Sequence, residues 1–210
     1  VKGERKFSLF EMLKSYAETV KKLPRPAIVM ILDRALLGTV GITISGLYAV
    51  VYATEVLGVS KVDWGLASSA GTLTSLLTTL LSLEFIDKVK NRNKAISLAF
   101  LVNALGLASL ILLNGLPAAI VFFVLNAISS SLTWPSISAL LGDLTPRELR
   151  GKRAAVENIS NRVSLTVLAP VAGLLYAANP RLAFTIAVFA VLARSAVYLF
   201  FVREPEKREE

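Results

Sequence analysis

Asp33 and Arg34 stand side by side inside one long apolar stretch, and Glu157, Asn158, Asn161 and Arg162 stand together inside another. Charged side chains are costly in apolar surroundings, so those kept there face a partner, a water-filled space or a polar boundary. Three chemistries fit these residues. Ion pairs among them can close a passage and break when it opens. Asp33 or Glu157 can bind a proton and a solute in alternation. The long stems of Arg34 and Arg162 also let both snorkel to a polar surface. Successive helical residues point about 100° apart, so Asp33 and Arg34 need partners on different neighbours. Glu157, Asn161 and Ser164 recur at helical spacing and share one face.

A second polar set, Asn126, Ser129, Ser130, Ser131, Thr133, Trp134 and Ser136, lies within a third apolar run. Asn126, Ser130, Thr133 and Ile137 fall on one helical face, and Ser129, Thr133 and Ser136 on the adjacent one. One reading is a cavity lining in which Asn126 and Trp134 touch a solute. The other is close packing, since small residues let a neighbouring helix approach. Pro135 frees one backbone carbonyl, which the serines can satisfy. Ser68, Gly71, Thr72, Ser75 and Thr79 make another small-residue face suited to packing. Arg194, a lone cation in an apolar run, calls for a partner that the sequence does not name. With neither cysteine nor histidine in the chain, disulfides, thiol chemistry, zinc clusters and His-based catalysis are excluded. No convergent carboxylate pair marks an enzyme either, and neither cofactor nor metal is called for.

These residues are carried by elements that lipid must surround. The 210-residue chain is 54% hydrophobic and 18% charged, with a mean hydropathy of +0.63; soluble domains run at about 45–50% and about 25%. The apolar residues form runs of about 20 or more, the length of a membrane span. Six spans are expected at 27–52, 64–85, 95–113, 117–141, 154–177 and 181–202. All are helices, because a backbone in lipid must satisfy its own hydrogen bonds. Asp33 and Arg34 then lie about 10 Å into the first span, and all four charges in spans one and five sit toward one end.

The net charge of +8 is divided among the gaps between runs, which excludes nucleic acid as a partner. Of the 23 Lys and Arg, eighteen fall in residues 1–26, 86–94, 142–153 and 203–210, against only Lys61 and Arg181 on the opposite side. That asymmetry puts both termini of this chain and both basic loops in the cytoplasm. Ahead of the first span, Phe10, Leu13, Ala17 and Val20 form an apolar stripe facing away from Lys14, Lys21 and Lys22, with Ser8 and Glu11 at capping-box spacing. Residues 1–26 therefore read as a cytoplasmic amphipathic linker, lying on the membrane or solvated. Val1 to Phe10 lacks a signal peptide's apolar core and cleavage site, and without an initiating Met it reads as the interior of a longer chain.

Between spans four and five lies Gly142 to Arg153, GDLTPRELRGKR. Its Thr145, Pro146 and Glu148 fit N-cap, first helical position and capping-box partner of a short helix. The tight turn Asn114-Gly115-Leu116 divides the spans into two groups of three. Three crossings reverse direction, so the second group has inverted topology relative to the first, an arrangement used to build transporters.

The stretch WPSISALLGDLTPRELRGKRAAVENIS, then Ala169-Pro170-Val171-Ala172-Gly173 in span five and FFVREPEK after span six, resembles the second half of a major facilitator superfamily transporter. Pro146-x-Glu148-x-Arg150-Gly151 is similar to that family's loop between its tenth and eleventh helices. The family's Gly-x-x-x-Asp-Arg-x-Gly-Arg-Arg loop falls at Leu83 to Arg92, where Asp87, Lys88 and Arg92 keep the charges and both glycines are absent. Asp87 either braces the loop against a helix end or is a solvated charge.

The resemblance implies an all-α membrane protein, six transmembrane helices as two inverted three-helix repeats, half of the family's fold. It implies a second six-helix half as partner, besides the lipid bilayer, a small-molecule solute and protons. Spans one and four then line a solute cavity, which selects Thr43, Asn126, Ser130, Thr133 and Trp134. Coupling or gating falls to Asp33, Arg34, Asp87, Arg150, Glu157, Asn161 and Arg162. The implied activity is secondary active transport by alternating access, a proton-coupled efflux of a drug or metabolite across the plasma membrane. An uptake permease of the same family, or a membrane binding or scaffold module that moves no solute, are the alternatives.

Overall fold

A computed structural model describes residues 9–85 and 91–202. Ser8 and Asp87, and the side chains of Phe10 and Leu13, lie outside the described residues. Helix α1 spans Leu9–Lys22. Six long helices follow over the six apolar runs: α2 Arg25–Glu55, α3 Lys61–Phe85, α4 Arg92–Leu112, α5 Gly115–Leu144, α6 Arg150–Ala178 and α7 Pro180–Phe200. A 3₁₀ turn at Arg147–Leu149 precedes α6. No strand occurs among the described residues. Among those residues, five of the helices are long and apolar enough to cross a membrane. The exception, α3, has 25 residues, and its eight serines and threonines dilute its apolar character.

Helix α4 forms the spine, packing along α5 on one side and α7 on the other. Its Ile96, Phe100, Ala104, Leu107 and Leu110 are all buried and meet Phe122, Phe184, Val191 and Tyr198 in one core. Helix α5 packs also on α3, and α2 on α6 and α7. Small residues set how close these pairs come. A Cβ on Gly71 of α3 would lie 2.9 Å from Phe123 Cβ of α5, and one turn on Ser75 and Ser131 bond hydroxyl to hydroxyl at 2.9 Å. Ser97 of α4 and Ser195 of α7 do the same at 2.8 Å. In α5, Ser136 donates to the Leu132 carbonyl at 2.7 Å, one residue along from the Ser131 carbonyl that Pro135 leaves without its helical donor.

The Gly142–Arg153 stretch departs from its expected form. Helix α5 continues to Leu144, so Thr145 falls at its C-terminal end rather than at the start of a new helix. Its hydroxyl donates backward to the Leu141 carbonyl at 2.6 Å, one of the last-turn acceptors that a helix leaves open. The expected capping box does not form. Arg150 Nη2 reaches the Gly142 carbonyl at 3.1 Å, and Arg92 Nη1 reaches Asp143 Oδ2 at 2.7 Å. Arg150 thus ties the basic loop to the end of α5, and Arg92 ties the start of α4 to the same end.

Helix α1 docks against α6 and the start of α2. Tyr16 and Ser160 share a hydrogen bond of 2.8 Å, and Val20 and Leu23 pack with Ile28, Ile31 and Val156. The docked face runs through Tyr16, Val20 and Leu23, leaving Ala17 exposed with Lys14, Lys21 and Lys22. Of the two described side chains in the stripe read from the sequence, Val20 joins this contact and Ala17 does not.

Candidate functional site

Helix α2 is not a uniform α-helix. Residues Arg34–Gly38 form a π turn, a local widening that is rare and recurs at functional sites. Thr39 Oγ1 donates to the Arg34 carbonyl across it at 3.2 Å. Asp33 and Arg34, immediately before and at its start, diverge as neighbouring helical residues must.

Asp33 turns to α7. Its carboxylate takes Arg194 Nε at 3.1 and 3.3 Å and Arg194 Nη2 at 3.1 Å, with the Asp33 side chain 0% exposed. The Arg194 guanidinium lies over the Phe100 ring, 4.1 Å from its centroid. A Cβ on Gly38 would come within 3.2 Å of that guanidinium carbon, so glycine in the π turn leaves room for the cation.

Arg34 turns instead to α6, pairing with Glu157, and lies 4.7 Å from the centroid of the Trp134 ring on α5. Glu157 accepts a second cation, Arg153 Nη1, at 2.6 Å. The snorkelling reading of Arg34 gives way to this pairing. The Asp33–Arg194 and Arg34–Glu157 pairs join α2 to different helices, Arg153–Glu157 lies within α6, and three guanidinium groups face two carboxylates.

Two cavities open beside this network. A cleft of about 600 Å³ lies between α2, α3 and α5, bounded by Ser45, Trp64, Ser68, Thr72, Asn126 and Ser130 among others. A smaller pocket of about 110 Å³ continues toward the ion pairs, where Asn103, Asn126, Thr133, Trp134 and Arg194 line it. Ser45, Asn126 and Ser130 belong to both walls. Thr133 Oγ1 is buried without a hydrogen-bond partner.

The expected contacts separate accordingly. Asn126 and Ser130 border both spaces, and Thr133 and Trp134 the smaller. Thr43 borders neither; it is 2% exposed, turned into the packing. Asp33, Arg34 and Glu157 are brought together with Arg153 and Arg194. Asn161 is one helical turn beyond Glu157, its Oδ1 buried and unpartnered, while Arg162 is exposed. Arg150 is occupied with backbone carbonyls of α5. Ser129 and Ser131 are buried, Ser131 on the α3 contact, so the small-residue stripe both packs and lines. Sequence reasoning leaves Ser45 and Trp64 off the wall and Arg194 without a partner. A single cation in an apolar run is the signal that could have joined Arg194 to Asp33, since each buried charge requires an opposite one.

A family model described as Major Facilitator Superfamily matches residues 31–210. The chain belongs to that superfamily. Its members are transporters of small solutes, and the match runs over α2 to α7 with every ion pair and both cavities described above. Comparison with individual curated proteins gave no match.

Proposed function

We propose that this superfamily chain forms one six-helix bundle of a secondary active transporter, with α3 as a sixth crossing beside the five apolar helices. A second six-helix bundle faces the cleft, and the solute is passed by alternating access as the two rock. The observation that carries the reading is the cleft of about 600 Å³ between α2, α3 and α5, with polar, uncharged groups on an otherwise apolar helical surface. Cavities of roughly 300–1,000 Å³ suit small-molecule ligands. Asn126, Ser130, Thr133 and Trp134 are the solute contacts.

The packing supports two inverted triplets. Exchanging α2 with α5, α3 with α6 and α4 with α7 turns the α4–α5 contact into α7–α2, the α3–α5 contact into α6–α2, and leaves α4–α7 in place; all five contacts occur. The Asp33–Arg194 and Arg34–Glu157 pairs both lie within this bundle, which favours stiffening of its inner end over a gate made between bundles. Proton-coupled efflux across the plasma membrane, with both ends of this chain in the cytoplasm, is the working mode.

Solute flux in proteoliposomes carrying the whole protein tests the reading. Flux that depends on a pH gradient and falls at least tenfold in Asn126→Ala supports it; binding without flux favours a non-transporting module. Orientation is separately measurable, because this chain has no cysteine. Single cysteines at Lys61 and Arg181 should label from outside the cell, and one at Lys152 only after permeabilisation.

A further inference from the structure

The transport reading leaves the solute's chemistry open, and the walls of the two connected cavities narrow it. The larger cleft has aromatic rings at Trp64, Phe122 and Phe123, with hydroxyl and amide groups beside them and no ionisable side chain on its wall. The smaller pocket has one, Arg194. The carboxylates nearby stand on neither wall, and the Asp33 side chain is 0% exposed. A bound cation would therefore meet a guanidinium and no accessible counter-charge, whereas an anion would meet a charged donor at the end of an otherwise neutral space.

Resting on the transport reading, we propose that the solute is an amphipathic organic anion, its uncharged body in the cleft and its anionic group in the small pocket at Arg194. There it competes with Asp33 for the guanidinium. The pocket volume of about 110 Å³ suits a carboxylate, being about three to four times the liquid volume of one water. Thr133 supplies the second, independent mark of a ligand. Its hydroxyl is buried and without a partner, in a residue that lines that same pocket. Asn126, on both walls, bridges body and head group. The local charge agrees, since Arg34, Arg153 and Arg194 outnumber Asp33 and Glu157 by one in the buried network.

The two tryptophans of the chain report the two spaces separately, Trp64 the cleft and Trp134 the pocket. The test uses three compounds with one body, 4-phenylbutyrate, 4-phenylbutylamine and 4-phenylbutanol, on the whole purified protein and its Trp64→Phe and Trp134→Phe variants. Saturable quenching by the acid, about tenfold or more tighter than by the amine, and retained in Trp64→Phe, where the pocket tryptophan still reports, is the expected result. Asp33→Asn/Arg194→Gln keeps the buried pair neutral; it should abolish the preference for the acid while Trp64 still responds to the alcohol. Arg194→Lys should retain part of the preference. Equal binding of amine and acid overturns the proposal, as does a preference that survives the double variant or the absence of saturable quenching by all three. Flux of the same compounds in proteoliposomes separates the two levels. If alcohol and amine move as well as acid, the anion proposal fails and transport stands; if the acid binds selectively at Arg194 and nothing moves, transport fails and the anion site stands.

Discussion

Replacing Arg194 by Met strands a carboxylate with nowhere to go. The Asp33 side chain is 0% exposed and takes both Nε and Nη2 of Arg194 at 3.1 Å, and among the described residues no other cation pairs with it. Breaking a buried pair by removing one partner costs about 3–5 kcal/mol, because the remaining charge is left uncompensated. Loss of the cation over Phe100 adds roughly 0.5–2 kcal/mol. For a chain of this size about 1 kcal/mol moves the unfolding midpoint by roughly 2–4 °C, so the expected fall is about 7–28 °C. Asp33→Asn should cost less, about 1–3 kcal/mol, since Arg194 keeps its ring and has some exposure. The double variant Asp33→Leu/Arg194→Met removes both charges, and buried pairs replaced by apolar groups are often neutral or better. Its midpoint should return to within a few degrees of the parent, so the double change costs at least about 3 kcal/mol less than the two single changes together. Thermal unfolding of detergent-purified protein, followed by retention on size exclusion, measures all four. If the two single changes simply add, or Arg194→Met unfolds where the parent does, the pair does not hold α2 to α7.

Glycine substitutions in two helices should have opposite signs. Gly71→Ala drives a Cβ to 2.9 Å from Phe123 Cβ and 3.1 Å from its carbonyl oxygen, an overpacking worth about 1–3 kcal/mol of destabilisation, whereas Gly46→Ala meets nothing within 4 Å and should stabilise by about 0.4–1 kcal/mol; thermal midpoints that fall together would contradict the α3–α5 contact. Arg150→Ala removes the donor to the Gly142 carbonyl and should cost about 0.5–1.5 kcal/mol, with no loss of solute affinity in a binding titration. Tyr16→Phe deletes the hydroxyl that meets Ser160; at about 0.5–1.5 kcal/mol, tryptic cleavage after Lys21 or Lys22 should speed up roughly 2- to 10-fold, and unchanged cleavage would show that α1 is held by its apolar contacts alone.

How much of this was legible depended on the kind of signal. Runs of about 20 apolar residues mark helices whatever their partners, so α2 to α7 lie within a few residues of the stretches read from the sequence. Helix ends are less legible. Thr145 has the spacing of an N-cap, yet α5 runs on to Leu144 and claims its hydroxyl, because local spacing does not say where the preceding helix stops. Apolar stripes mislead similarly in α1, where Ala17 fits the period but Tyr16, through Ser160, sets the docked face. The polar stripe of α5 was readable as a face, and Asn126 and Ser130 do border the cavities. Asp33 and Arg34 could be seen to need separate partners; that these are Arg194 and Glu157, 161 and 123 residues away, is a matter of tertiary packing that no local pattern encodes.

The π turn accounts for the misplaced contact on α2. An i→i+5 turn holds one residue more than the α-turn it replaces, so beyond Gly38 the helix lags an uninterrupted one by about 100°. With Asp33 fixed on Arg194, an unbroken α-helix would bring Ile44 to the angle that Ser45 holds, and Ile42 to the angle of Thr43. The widened turn instead puts Ser45 on the walls of both cavities, sends Thr43 and Ile44 into the core, and leaves Ile42 half exposed at 51%. It also leaves Gly38 against the guanidinium, where a larger residue would push the cation away from Asp33. One inserted residue thus does two jobs on one helix: it makes room for the buried ion pair, and it sets which side chains α2 presents to the solute.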